Sequence, residues 1–382
     1  MKIVIAPDSF KHSLSAVQVA AAISNGIRSV HPEADIVQLP VADGGEGTVE
    51  ALTTATGGKK ISIETYDPLM RPITATYGFI DSTTAVIEMA AASGLELLQK
   101  GEENPLKTST YGTGLLMLDA IKKGARKIIT GVGGSATNDA GAGMARAMGA
   151  VLMDKNGNEL EGNGESLQHL HQVHLETLRK NIQNTTFVTA VDVDNPLLGP
   201  SGATYVYGGQ KGADENTKKI LEKSLTRFAD LMEEQTGKPF RNMPGAGAAG
   251  GMAAGMVSFL DAELKNGFTL ISELCRLEET IKTADLVITG EGKLDEQTAY
   301  GKTPYGVAKL ALKHNKAVIA FAGALGNNYQ KLLGTSFTNI YPIAEKPVAL
   351  EEALSEASQL LERAASRMMR SILLFRDTDS FH

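Results

Sequence analysis

Asp8, Ser9, Lys11 and Ser13 fall within one short stretch, directly after the apolar run Ile3-Val4-Ile5-Ala6 and ahead of a helix-like pattern. A carboxylate, two hydroxyls and an ammonium in that setting suit a small anion or a polyol, because a helix N-terminus adds positive potential of its own. The competing use is local: Ser13 or Ser15 caps the helix and Lys11 is a surface charge. A second group, Asp43-Gly44-Gly45-Glu46, follows the next apolar run. Its glycines permit a backbone to approach a ligand closely, while Asp43 and Glu46 have the spacing of a capping box. The two uses are compatible.

The richest group is Gly131-Val132-Gly133-Gly134-Ser135-Ala136-Thr137-Asn138-Asp139. It satisfies G-x-G-x-x-A, the spacing of a dinucleotide-binding turn, and Asp154 stands further on where a ribose-binding acid belongs. The continuation through Ser135, Thr137 and Asp139 adds hydroxyls and a carboxylate that a pyrophosphate turn does not need. Those residues read instead as a nest of backbone N–H groups for phosphate or carboxylate, with Asp139 capping the next helix. Asp192-Val193-Asp194-Asn195-Pro196 places Asp192 at the end of another strand-like run, where it could hold Mg2+ or accept a hydroxyl proton. Its plainer use is an Asx-turn into Pro196. Close behind, Gly208-Gly209-Gln210-Lys211-Gly212 brings Lys211 toward the same region.

Pro244-Gly245-Ala246-Gly247-Ala248-Ala249-Gly250-Gly251 supplies either a tightly packed helix start or N–H groups for nucleotide phosphates, with Gly247 and Gly250 as the candidates. Gly290-Glu291-Gly292-Lys293-Leu294-Asp295-Glu296, continuing to Gly301-Lys302-Thr303, ends like a phosphate-binding loop, but the Walker spacing requires glycine where Glu296 stands. What remains is a glycine turn with two lysines and several carboxylates after a buried strand, a composition suited to phosphate plus a metal ion. His169, His171 and His174 share no helix face and read as surface or packing residues. Cys275, between Leu274 and Arg276, reads as buried rather than nucleophilic.

Such groups need elements that present loops at one end of a sheet. Residues 3–6, 16–30, 36–40 and 46–56 alternate strand, helix, strand, helix. The C-terminal part repeats that order with strands at 286–289, 317–322 and 340–343 and helices at 305–314 and 350–374. Short buried strands alternating with helices imply a parallel sheet, here built from both termini. Between them, 59–65, 73–79 and 84–89 read as consecutive antiparallel strands. Helices at 114–123, 139–148, 215–235 and from about 250, with strands at 127–131, 150–154 and 187–191, return to α/β order. The expected fold is α/β in two domains. Residues 1–62 and 286–382 form a Rossmann-like parallel domain, and 63–285 an inserted mixed-sheet domain.

A chain of 382 residues is too long for one comfortable core, which agrees with that division. Its 37 basic against 44 acidic side chains give a net charge of -7, the wrong sign for tracking nucleic acid. A single cysteine excludes an internal disulfide framework and any paired-cysteine metal or redox site. Residues 1–8 read as a strand rather than a signal peptide, and the apolar window at 245–260 is too short to span a bilayer. The expectation is a cytoplasmic protein without nucleic acid or membrane partners, for which a homodimer is allowed.

Taken in order, 6–16, 41–48, 87–95, 133–139, 192–196, 244–251 and 288–292 closely resemble the corresponding segments of the bacterial glycerate kinase family, of the two-domain glycerate 2-kinase type. The resemblance spans residues 1 to about 370. Lys293 stands where related chains often have arginine, and Ala140 where they often have glycine. The resemblance implies a flavodoxin-like domain, a second α/β domain, and ATP-dependent phosphorylation of D-glycerate, with 2-phosphoglycerate as the favoured product. Given that reaction, the residues divide by their chemistry. Lys11, with Asp8, Ser9, Ser13, Asp43, Gly44, Gly45 and Glu46, is expected to take glycerate. Lys293 and Lys302, with Gly133, Gly134, Ser135, Thr137, Gly247, Gly250, Gly290 and Gly292, are expected to take ATP. Asp192 is the expected proton acceptor, and Asp295 with Glu291 the expected Mg2+ ligands. Two other classes stay open on residues alone: an NAD-dependent dehydrogenase of a small hydroxy acid built on the 131–136 turn, and a non-catalytic carboxylate-binding protein.

Overall fold

The computed structural model describes residues 1–42, 44–296, 298, 302–346 and 349–378. In chain order the strands are β1 (Lys2–Ile5), β2 (Asp35–Gln38), β3 (Lys59–Tyr66), β4 (Pro72–Phe79), β5 (Thr84–Glu88), β6 (Lys127–Gly131) and β7 (Val151–Met153). They continue with β8 (Gln172–His174), β9 (Thr186–Val191), β10 (Glu263–Asn266), β11 (Leu286–Leu294), β12 (Ala317–Leu325) and β13 (Asn339–Pro342). Two units contain them. One comprises Met1–Asp43, Glu50–Thr56 and Phe268–His382, the other Gly44–Val49 and Gly57–Gly267.

In the first unit all five strands run parallel in the order β13-β12-β11-β1-β2. Helices cover such a sheet, so its inner strands are apolar at successive positions, and Ile3, Val4, Ile5, Val287 and Ile288 are all fully buried. The helix Ala16–Arg28 buries Val19, Ala20, Ile23 and Ile27 on one face. Ser15 starts it as a capping box with Gln18: the Ser15 hydroxyl accepts from the Gln18 N–H at 3.3 Å, and the Gln18 side chain accepts from the Ser15 N–H at 2.9 Å. This helix crosses Ala357–Thr378 closely, since a Cβ at Gly26 would lie 2.2 Å from the Glu362 carbonyl. Among the described residues no helix is long and apolar enough to cross a membrane.

The second unit holds a six-stranded sheet in the order β10-β9-β6-β5-β4-β3. β5, β6, β9 and β10 are parallel, and β4 and β3 extend the sheet antiparallel, as the consecutive runs at 59–65, 73–79 and 84–89 predict. Its core gathers Leu116, Met117, Ile128, Phe228, Met252 and Phe259.

Several local expectations change. The helix predicted from 139 begins at Ala142, because Ala140 and Gly141 take left-handed backbone angles (φ 50° and 69°) directly after Asp139. β7 is not part of the main sheet; it pairs antiparallel with β8 in a separate two-stranded sheet. The predicted last helix divides at Glu356 into Leu350–Ser355 and Ala357–Thr378. The stretch 290–294, expected as a glycine turn, is the second half of β11 and stays paired with β12 through Leu294 and Leu325. The glycines let the two strands continue: a Cβ at Gly323 would lie 2.6 Å from the Gly292 carbonyl.

Candidate functional site

In the first unit the chain moves from β1 to β2 in one direction and from β11 through β12 to β13 in the other. The strand order therefore reverses between β1 and β11, which is where open parallel sheets bind ligands beyond the strands' carboxyl ends. Two of the predicted groups meet there. The Asp8 N–H donates to the Gly290 carbonyl at 2.9 Å, and Gly292 lies against the backbone of Phe10 and Lys11. The Asp8 carboxylate accepts from the Ser9 N–H at 2.6 Å. Lys11 is exposed. Ser13 donates its hydroxyl to the Leu354 carbonyl at 2.8 Å.

From β11 onward the polar groups form a chain of contacts. Glu291 is buried and accepts from the Thr298 hydroxyl at 2.8 Å, with Lys302 Nζ 3.4 Å away. Burial pushes its carboxyl above the usual range, against the pull of Lys302, and the neighbouring Asp295 adds to the rise. Lys293, largely exposed, holds Asp295 at 3.2 Å. Lys302 stands at the N-terminus of the helix Thr303–Lys313. Among the described residues no three acidic, histidine or cysteine side chains form a metal cage. Mg2+ generally binds through one or two carboxylates plus substrate phosphates and water, and a pair such as Glu291 and Asp295 suits that mode.

In the second unit the segment from Gly44 lies over the carboxyl ends of β6 and β9. Bare glycine backbones make this possible: a Cβ at Gly131 would lie 2.2 Å from the Gly44 carbonyl, and one at Gly133 2.8 Å from Gly45 Cα. Glu88, at the end of β5, accepts from the Val49 N–H at 2.6 Å and ties down the same segment. Glu46 is exposed. Asp43 lies outside the described residues. Beyond β6, Gly133 and Gly134 are exposed while Ser135, Thr137 and Asp139 are buried. Asp139 caps the following helix jointly with Thr110. Its carboxylate accepts from Thr110 N and Oγ1, both at 2.8 Å, and from the N–H groups of Gly141 and Gly143, while Thr110 Oγ1 accepts from Met144 N at 2.9 Å. Asp192, at the end of β9, is exposed, and its Oδ1 accepts from Asn266 Nδ2 at 2.9 Å and Gly267 N at 3.1 Å. Asn195 is occupied by Ser201 and Tyr207.

A family model for glycerate kinases matches residues 3–373. The chain belongs to the glycerate kinase family. It is 47% identical to a glycerate kinase of Halalkalibacterium halodurans, over 95% of this chain and 96% of that protein. It is 44% identical to the glycerate 2-kinase of Escherichia coli, over 98% of both. A crystal structure from Salmonella typhimurium LT2, carrying the provisional description glycerate kinase 2, superposes with a TM-score of 0.89 at 42% identity over 99% of both chains.

The dinucleotide reading of the 131–136 turn loses its frame in this member of the family. No helix opens at Ala136; one begins only at Ala142, and Asp154 follows a strand outside the main sheet. The 244–251 run serves close packing. Gly247 donates its N–H to the Asn195 carbonyl at 2.9 Å, and a Cβ at Gly250 would lie 2.1 Å from the Thr137 carbonyl. Cys275 is buried and its thiol is pushed up to about 12. Sequence reasoning assigned no role to Glu88, Thr110, Thr298 or Asn266. Glu88 carried a signal as part of the 87–95 segment, and Thr298 as part of the 290–303 stretch.

Proposed function

We propose that this chain transfers the terminal phosphoryl group of ATP to glycerate. The observation that carries the reading is the 44% identity to a glycerate 2-kinase over 98% of both chains, which also favours the 2-hydroxyl as acceptor. Phosphoryl transfer demands positioning and charge neutralisation more than covalent chemistry. The residues fit that demand: lysines and glycine-lined turns stand at the ends of parallel strands, and the lone cysteine is buried and held as a thiol.

Lys11 pairs with the glycerate carboxylate, and Asp8, Ser9, Ser13 and the 43–46 segment serve its hydroxyls. The exposed Gly133 and Gly134, with Ser135 beside them, take phosphoryl oxygens, and the fully buried Thr137 holds the turn from behind through its carbonyl. Lys293 and Lys302 neutralise the triphosphate, and Gly290 and Gly292 leave room beside them. Gly247 and Gly250 act by packing, Gly247 against Asn195 and Pro196 and Gly250 against the 137–140 backbone. Asp192 accepts the hydroxyl proton as the bond to phosphorus forms, held in place by Asn266 and Gly267. Asp295 and Glu291 would hold Mg2+, whose chemistry when bound is to offset the charge of the transferring phosphoryl group. ADP release measured across small hydroxy acids tests the reading. Glycerate-dependent release is expected; NAD reduction without ADP release would overturn it.

A further inference from the structure

Lys211 ends the short turn Gly209–Lys211 and is 1% exposed. The turn is fixed behind it: Gly212 has φ 90°, and a Cβ there would lie 2.3 Å from the Glu103 carbonyl. Lys211 Nζ donates to Ser135 Oγ and to the Thr137 carbonyl, both at 2.7 Å. Among the described residues no carboxylate oxygen meets the ammonium directly; the charge that acts on it is Asp139, whose own carboxylate is engaged by Thr110, Gly141 and Gly143. Of the other ionisable groups on the packed segments, Glu103 turns to the Gly101 N–H and Tyr207 donates to Asn195. Burial brings the ammonium down to about 7.

An ammonium buried without a direct counter-charge is unfavourable, and an unbranched apolar side chain would fill the same space with less penalty. The cation therefore needs a reason outside packing. The adjoining turn supplies one. Gly133 and Gly134 are exposed, and among the described residues their N–H groups have no partner within the chain. The segment 93–95 fixes the turn's backbone: Ser93 accepts from Ala136 N, and Leu95 N donates to the Gly134 carbonyl, each at 2.9 Å. Lys211 completes the support from within. Because the Ser135 hydroxyl accepts from the ammonium, its own proton remains to be donated to an oxygen.

We propose that Lys211 is a positioning residue for phosphoryl binding: hydrogen-bonded to Ser135 and Thr137, its ammonium holds the 133–137 turn and supplies the positive charge that pairs with an anion on Gly133 and Gly134. The proposal rests on the reading of this turn as a phosphate site. By linkage, anion and proton bind together, so affinity falls as pH rises through about 7 and binding above that pH takes up a proton.

The test is calorimetric titration of ADP into the wild-type chain and Lys211→Met at pH 6.5 and 8.5, in buffers of different ionisation enthalpy. The variant is expected to bind ADP at least tenfold more weakly at pH 6.5, and to take up fewer protons at pH 8.5, by up to one per ADP. In turnover, KM for ATP should rise at least tenfold while KM for glycerate stays within twofold. Wild-type affinity and proton uptake in Lys211→Met would overturn the proposal. Unfolding against pH checks the variant's fold and the burial at once. The folded-state value lies below the unfolded 10.5, so the unfolded chain binds more protons between about 7 and 10.5 and wild-type stability gains from this group as pH rises through that window. Lys211→Met should lack that gain. If it does not fold, Ser135→Ala removes the hydroxyl and keeps the cation. Weaker ADP binding with proton uptake retained is then expected, and unchanged affinity overturns the proposal. Wild-type chain that binds ADP yet phosphorylates no glycerate would overturn the proposed function and leave the Lys211 role standing.

Discussion

Replacing Gly131 by alanine isolates the contribution of the segment that begins at Gly44. The new Cβ would lie 2.2 Å from the Gly44 carbonyl oxygen, so that backbone must retreat by about 1.2 Å to regain an ordinary contact of 3.4 Å. Gly131 itself ends a central strand with both neighbours paired, whereas Gly44 and Gly47 are left-handed turn residues (φ 92° and 86°), so the segment should yield rather than the strand. Overpacking commonly destabilises by about 1–3 kcal/mol, and a yielding segment puts the loss at the low end. A misplacement of about 1 Å in a substrate-positioning group can cost about a hundredfold in rate. Chemical unfolding and steady-state kinetics should therefore show a small stability loss, a fall of about a hundredfold in kcat/KM for glycerate, and KM for ATP within twofold. Gly157→Ala is the control. It sits in an open turn at φ 83° with nothing near its Cβ, so it should lose about 1–2 kcal/mol of stability and no activity. Unaltered glycerate kinetics in Gly131→Ala would refute a substrate role for the 43–46 segment.

The remaining expectations follow from single contacts. Lys293→Met removes an exposed 3.2 Å pair with Asp295 worth at most about 1 kcal/mol, so Tm should barely move while kcat/KM falls about a hundredfold; near-normal kinetics would remove Lys293 from the site. Lys11→Ala should raise KM for glycerate far more than KM for ATP, and equal effects would contradict its pairing with the carboxylate. Asp192→Asn keeps an oxygen for the Asn266 and Gly267 donors but removes the base, so kcat should fall more than about a hundredfold at unchanged KM; a wild-type kcat would end the assignment.

The parallel sheet was legible because its strands are buried on both faces and so are written as unbroken apolar runs, as at Ile3 to Ile5. The antiparallel additions were legible as three consecutive strand-like runs, 59–65, 73–79 and 84–89, with no helix between them. Where the reading failed, the cause was tertiary. Nothing local separates a strand that joins the main sheet from one that pairs aside, as β7 does with β8. The 290–294 stretch looked like a turn because glycine signals turns, yet here it permits close strand packing. In the candidate site, positions after strands were visible, but partners distant in sequence were not. Thr110 with Asp139, and Asn266 with Asp192, depend on which strands became neighbours. Lys211 was visible as a lysine among glycines, whereas its burial against Ser135 was not.

Phosphorus NMR of the products formed from ATP and D-glycerate by the purified chain decides whether and where glycerate is phosphorylated. Loss of the γ-phosphate resonance and growth of a monoester signal split by one proton, the pattern of a phosphate on the 2-oxygen, are expected. A signal split by two protons would place the phosphate on the 3-oxygen, and inorganic phosphate alone, or no change, would contradict glycerate phosphorylation itself.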